Sequence, residues 1–277
     1  MVTTTQIKPA AILQPFVNCY ALRVFNTGKV VLPQLLHSIH ECYLTFFLND
    51  KFCTVEDSSK KVLRYSNSLV SFITEPTGCA YYKGNFNLFS VQLKVNGVFA
   101  IFGIPQKLLT NTIVSAECVL GNDSRLLTEQ LESCKTIFEM SVCMNTYLTK
   151  KLLQQKHKRH TTTVASVSNI IFRNKGVVSL DSLSRYANMS FRNFERRFTE
   201  EVGMPPKLYA RITRFYNALE NKMLHPYKKW TAIAYENGFF DQAHLIREVK
   251  AFTYKTPEEL FADTPPPRED FIAKVEH

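Results

Sequence analysis

Apolar and polar positions alternate clearly in NLFSVQLKV, residues 87–95. Leu88, Ser90, Gln92 and Lys94 fall on one side, and Phe89, Val91, Leu93 and Val95 on the other, the period of a strand. CYLTFFLND (42–50) and SLVSFITEP (68–76) are also short, rich in β-branched and aromatic residues, and bounded by Asn, Asp, Gly or Pro. Residues 1–120 are therefore expected to form an antiparallel sheet or barrel. A ligand pocket there would be lined by inward positions of residues 44–48 and 91–95, unless side chains fill the barrel. From Asp123, a helix cap, the period changes. Thr136 to Glu139 has capping-box spacing, and Ile137, Met140, Met144, Leu148 and Leu152 make one apolar stripe. That stripe suits packing on the chain's own sheet or on a second copy equally well.

The second half repeats a unit. LSRYANMSFRNFERRF (183–198) and IAYENGFFDQAHLIREV (233–249) each read as helix, tight turn, helix. Ser190 and Asp241 are good N-cap residues, because a side-chain oxygen there can accept an orphan backbone N–H. Met189 with Phe194, and Phe240 with Leu245, have the spacing of a hydrophobic staple. Phe198 and Val249 continue the apolar sides, with Phe191 added on the first helix. The opposite sides carry Arg192, Asn193, Arg196 and Arg197, and Gln242, His244, Arg247 and Lys250. Between the copies, Leu208, Ile212, Phe215 and Leu219 form the stripe of a connecting helix over 207–224. A short helix buttressing a second one with a basic, amide-rich outer face suits a DNA major groove.

Charge follows the same division. Residues 1–150 hold 13 Lys+Arg against 10 Asp+Glu, residues 151–255 hold 19 against 8, and residues 256–277 hold 2 against 6. The excess behind the net +10 thus sits on the repeated unit, as an electrostatic footprint for nucleic acid would. The 7 cysteines all precede that unit and show no CxxC spacing, so they are expected as reduced core residues in a cytoplasmic protein. No apolar run is long enough to span a bilayer, and the first residues lack the pattern of a signal peptide.

The second copy through residue 261 and the stretch PPKLYARITRFYNALE (205–220) resemble the C-terminal DNA-binding domain of the AraC/XylS family of bacterial transcription regulators. The resemblance covers residues 160–262. Leu245 and Val249 stand where the family usually has Phe, and both keep the face apolar. Tyr254 stands where the family usually has Gly, so this helix end is expected to be capped differently or less well. The resemblance implies an α+β chain of two domains: an N-terminal antiparallel β, cupin-like barrel followed by helices, then an all-α double helix-turn-helix. We place the sensing or dimerising domain at 1–155, a linker at 156–163, the DNA-binding domain at 164–262 and a mobile tail at 263–277.

Double-stranded DNA is the expected partner, with no cofactor, no metal and no catalysis. RNA polymerase, a second copy of the chain and a small-molecule effector are further partners that the family suggests. Arg192, Asn193, Arg196, Gln242, Ala243, Ile246 and Arg247 are the candidate base readers, because they flank the outward sides of the two helices. Ser190, Arg197, Arg211, Lys222, Lys228, Lys229 and His244 are the candidate phosphate contacts. The alternative is a metal-dependent cupin enzyme or a DNA repair protein carrying an AraC-like half. His37, His40 and Glu41 are its only cluster; they lack the H-x-H pair of cupin enzymes, and the spacing of the two histidines points them to different faces of a strand.

Overall fold

A computed structural model describes residues 2–36, 38–48, 53–57, 62–65, 67–76, 78–155 and 158–262. The strands are β1 (Val2–Ile7), β2 (Val17–Asn26), β3 (Leu32–Leu36), β4 (Cys42–Phe47), β5 (Cys53–Asp57), β6 (Val62–Tyr65), β7 (Ser68–Phe72), β8 (Gly78–Tyr82), β9 (Asn85–Leu93) and β10 (Thr112–Ser115). They pair antiparallel in a six-stranded sheet, β1-β2-β9-β4-β7-β10, and a four-stranded sheet, β3-β8-β5-β6. Leu44 stands between Val91 and Val70 in register.

The alternation of β9 has a use on both faces. Phe89, Val91 and Leu93 join Tyr20, Leu44, Phe46, Val70 and Phe72 in the main apolar core. On the other face Phe86 and Leu88 join Phe25, Phe47, Leu69 and Ala80 in a smaller cluster between the sheets. Leu44, Phe46, Val91 and Leu93, four of the positions expected to line a pocket, are packed core instead, while Val95 at the end of the same side borders a cavity. Large side chains fill the space that a ligand would need.

The helices follow: α1 (Gly97–Phe102), α2 (Glu117–Leu120), α3 (Asp123–Ser133), α4 (Ile137–Gln154), α5 (Lys158–Arg173), α6 (Leu180–Tyr186), α7 (Phe191–Val202), α8 (Pro206–Leu224), α9 (Trp230–Glu236), α10 (Gln242–Thr253) and α11 (Pro257–Ala262). A 3-10 turn, Gln106–Leu109, precedes β10. Thr136 caps α4 by accepting from the Glu139 N–H at 3.2 Å, while the Glu139 carboxylate accepts from Lys135 N–H at 2.7 Å. Met140, Met144 and Leu148 are buried, and Asn145 of α4 accepts from Ala10 N–H and the Tyr20 hydroxyl. The α4 stripe therefore packs on the chain's own sheet.

The linker expected at 156–163 is mostly helix, because α5 starts at Lys158. Val164, Val167 and Ile171 anchor it at helical spacing, and no Gly or Pro stops it from extending back toward Lys158. One apolar cluster runs from the strands through α4, α5 and α8 to α10, so the two halves share a core. The tail expected at 263–277 lies outside the described residues, as does His37.

Candidate nucleic-acid interface

The two repeated units are α6 with α7 and α9 with α10, held on either side of α8. Their turns are built by the same three backbone hydrogen bonds. In the first, Ala187, Asn188 and Met189 donate to Leu183, Arg185 and Ser184; in the second, Asn237, Gly238 and Phe239 donate to Ile233, Tyr235 and Ala234. Asn188 and Gly238 both take positive φ, 54° and 72°, the left-handed turn that ends each first helix. Each second helix then opens on its expected cap: Ser190 accepts from Asn193 N–H at 3.4 Å, and Asp241 from His244 N–H at 2.6 Å.

This pairing of turns corrects the staple assigned to the second unit. Met189 corresponds to Phe239, which is buried, and Phe240 is an extra residue with 84% of its surface exposed. The added residue swings Phe240 outward and leaves Phe239 to pack. Phe191 is also not on the core side of α7, being 42% exposed. Phe194, Phe198 and Val202 make that side, and Leu245, Val249 and Phe252 make the corresponding side of α10. Phe215 of α8 lies 5.2 Å from the Phe252 ring, so the connecting helix is core as expected.

Of the candidate base readers, Arg192, Asn193, Ala243 and Arg247 are exposed, and Gln242 and Ile246 half-exposed. Arg196 is exposed too, bridging Glu200 at 3.3 Å and Asn193 at 3.1 Å within its own helix. An exposed i,i+4 pair is weak and can open for a base or a phosphate. Gln242 accepts from the Thr231 hydroxyl at 2.6 Å, which ties the reading helix to α9.

Several candidate phosphate contacts have other work. Arg211 forks onto Glu248, Nε to Oε2 at 2.9 Å and Nη2 to Oε1 at 3.0 Å, and packs on the Phe252 ring. Arg197 pairs with the buried Glu201 at 3.3 Å. Lys222 donates to the carbonyls of Pro226 and Lys228 at 2.7 and 2.8 Å and lies over the Trp230 ring. Lys228 pairs with Glu236 at 2.7 Å. Arg211 ties α8 to α10, Lys222 and Lys228 brace the α8–α9 turn, and Arg197 pairs within α7. His244 packs against Phe239 and its Nδ1 accepts from Phe240 N–H, so it too serves the turn. Ser190 is the cap of α7, and Lys229 is exposed. Arg214, which sequence reasoning passed over, donates to the carbonyls of Gly238 and Gly176 and stitches the second turn to the end of α5.

The β half grips the C-terminal ends of both reading helices. At α7, Gln106 donates to the Val202 carbonyl at 3.1 Å and Thr110 to that of Gly203 at 2.5 Å. At α10, Ser38 N–H donates to the Phe252 carbonyl at 3.2 Å and the Tyr254 hydroxyl to the Pro76 carbonyl at 3.0 Å. Tyr216 of α8 donates to the Ser38 carbonyl at 2.9 Å. Tyr254 takes the left-handed conformation itself, φ 59°, and its N–H reaches the Lys250 carbonyl. The helix end is thus closed in the usual geometry, with a tyrosine where glycine is the usual residue.

Among the described residues, no group of three His, Cys, Asp or Glu side chains is placed to hold a metal ion, and no helix is long and apolar enough to cross a membrane. Burial pushes the His40 imidazole down to about 4 and the Glu41 carboxyl up to about 7.

Residues 183–263 match a family model described as a helix-turn-helix domain. HTH-type transcriptional regulators of Staphylococcus aureus strains MSSA476 and N315 are each 32% identical to this chain over 88 residues, 32% of this chain. That match spans 12% of the length of either relative. Among solved structures, ToxT from Vibrio cholerae aligns over 87% of this chain and 97% of its own, at 11% identity and a TM-score of 0.49. The AraC-like transcriptional activator CuxR aligns over 82% and 86%, at 14% identity and a TM-score of 0.30. Residues 183–263 of this chain are a helix-turn-helix domain.

Proposed function

We propose that the protein is a sequence-specific DNA-binding transcription regulator of the AraC/XylS type. In this reading residues 164–262 enter two successive major grooves, and residues 1–155 carry the control, through a small molecule or a second copy of the chain. RNA polymerase is the further partner such a regulator would meet, and the cytoplasm its place of action. The observation that carries the reading is the equivalence of the two turns, each launching a capped helix with an exposed arginine from one shared connecting helix. Arginine suits that position because its fork bonds guanine O6 and N7 together. The backbone contacts fall to Ser190, Lys229 and the helix N-termini, where unpaired N–H groups meet phosphate. No described group supports the metal-enzyme alternative.

The test starts from DNA sequences selected by the protein from a random pool. Arg196→Ala and Arg247→Ala are each expected to weaken binding by about 1–3 kcal/mol and to relax preference at one base position. The two positions should lie about ten base pairs apart. Binding should fall steeply with salt, as neutralised phosphates release counterions. A flat salt response would remove DNA as the partner. Uniform weakening on every sequence would make that arginine a phosphate clamp.

A further inference from the structure

A cavity of about 220 Å³ opens at the seam between the halves, away from the packed interior of the sheets. Its walls come from both: Asn18, His40, Glu41, Tyr43 and Lys94 from the β half, and residues of α5 and α8 from the other. At the ~30 Å³ that each water takes in the liquid, the space equals about seven waters. That suffices for a small organic molecule.

The lining selects by charge and by shape. Two carboxylates, Glu41 and Glu220, face one ammonium, Lys94. Lys94 Nζ already donates to the Gln14 carbonyl at 2.7 Å, and Glu41 lies within its field. Glu41 is held in its turn by the Asn18 and Tyr43 side chains. The lining thus sets two carboxylates against one ammonium, a balance that favours an entering cation over an anion. Aromatic faces complete the wall: Tyr43, Phe172, Tyr209 and Tyr216. The His40 ring stands edge-on to Tyr216 at 4.7 Å, and its Nδ1 is buried without a partner. Aromatic rings beside carboxylates are the surroundings that a desolvated ammonium prefers. Unsatisfied buried polar atoms mark a place where a polar partner is missing.

We propose that this cavity is a binding site for a small organic cation, an amine with an apolar or aromatic body, whose ammonium sits between Glu41 and the tyrosine rings. Burial raises the Glu41 carboxyl, and a cation beside it would offset that burial by holding the group ionised. Because α8 forms one wall, an occupant would touch the helix that carries both reading units and the half that grips their ends. Its effect on DNA recognition rests on the function proposed above; the binding itself does not.

The experiment is calorimetric titration of the full chain, without DNA, using phenethylamine, phenethyl alcohol and phenylacetate. These share one body and differ in charge. Saturable, one-to-one binding of phenethylamine is expected, with at least tenfold weaker binding of the alcohol and none of the acid. Glu41→Gln, shown by its melt to be folded, should weaken phenethylamine at least tenfold, and Glu220→Gln by a smaller factor. If Glu41→Gln does not fold, the Glu220→Gln result decides. Binding of phenylacetate in preference to the amine, silence from all three, or an amine affinity indifferent to the substitutions would each overturn the proposal. DNA binding measured separately on the same preparation keeps failure of this site distinct from failure of the regulator reading.

Discussion

The two reading helices end in the same left-handed turn, yet the β half holds those ends by opposite means. At α7 the turn residue is Gly203, φ 83°, and a Cβ built there would stand 2.6 Å from the Phe72 ring. The sheet approaches so closely that only a hydrogen fits, and Thr110 bonds the bare backbone. At α10 the turn residue is Tyr254, φ 59°, and the gap is wide enough that a whole side chain crosses it to Pro76. The cation pairs follow the same contrast. Arg197–Glu201 is internal to α7, whereas Arg211–Glu248 ties α10 to α8. The first unit is seated on the β half by close packing at Gly203 with the Gln106 and Thr110 side chains, and the second by its own Tyr254 side chain and one backbone bond from Ser38. Changes in the β half should therefore reach the first unit through packing and the second through a few separable contacts.

The largest effect should come from the element both units share. Phe215 is fully buried in α8 and touches Tyr216 and Phe252. Phe215→Ala is expected to cost about 3–5 kcal/mol and to abolish DNA binding by unfolding. Chemical denaturation measures the loss. A variant that keeps a cooperative melt near wild type and still binds would show that α8 is not the common support.

Next in size is the close approach at α7. Gly203→Ala places a side chain in the left-handed region, at about 1–2 kcal/mol. It also forces Phe72 to move, at about 1–3 kcal/mol. Together these predict a loss of about 2–5 kcal/mol, read by the same denaturation. Hydrogen exchange should speed up at the end of α7 and in the 3-10 turn before it speeds up in α10. Equal loosening of both ends would erase the distinction between the two attachments.

How much of this was legible in the sequence follows from the range of the interactions. The caps at Ser190 and Asp241, the stripe of α8 and the alternation of β9 depend on neighbours a few residues away, and all stand as read. The double unit was legible for the same reason. The extra residue Phe240 was not, because the offset between copies is set by turn hydrogen bonds that the letters do not display. The fates of Arg211 and Arg214 were hidden by distance, since their partners lie 24 to 38 residues along the chain. Lys222 and Lys228 had near partners, but those are carbonyls in a turn whose shape was not foreseen and a carboxylate at the end of α9. The seam cavity needs residues from both halves and could not be read from either.

A pH series sharpens the picture at α7. Glu201 is buried, and burial raises its carboxyl to about 7 even though the Arg197 guanidinium beside it pulls the other way. Its ordinary value is 4.5, so between 4.5 and about 7 the folded chain holds a proton there that the unfolded chain has lost. Stability contributed by this group is full at low pH and declines as pH rises through that window. At about 1.4 kcal/mol per pKa step, the decline is on the order of 3–4 kcal/mol. Glu201→Gln imitates the protonated form and should flatten that part of the stability-pH curve. Urea melts from pH 4.5 to 8 compare the two proteins, and an unchanged slope in the variant would place the titration elsewhere.

The smallest effect tests the second attachment, and its sign depends on the substitution. Tyr254→Phe keeps the strained backbone and loses only the bond to the Pro76 carbonyl. A lost hydrogen bond of this kind costs about 0.5–1.5 kcal/mol. Tyr254→Gly loses the same bond but relieves the left-handed strain of about 1–2 kcal/mol. Part of that relief is offset by the greater freedom glycine gains when unfolded. The Gly variant should therefore melt close to wild type, and the Phe variant below both. Thermal melts of the three proteins order them directly. In the Gly variant, despite its near-native melt, hydrogen exchange at the end of α10 should be faster than in wild type, because nothing then bridges Tyr254's place to Pro76. Should the Phe variant prove the most stable of the three, the hydroxyl would not be the tether, and the second unit would need another attachment to the β half.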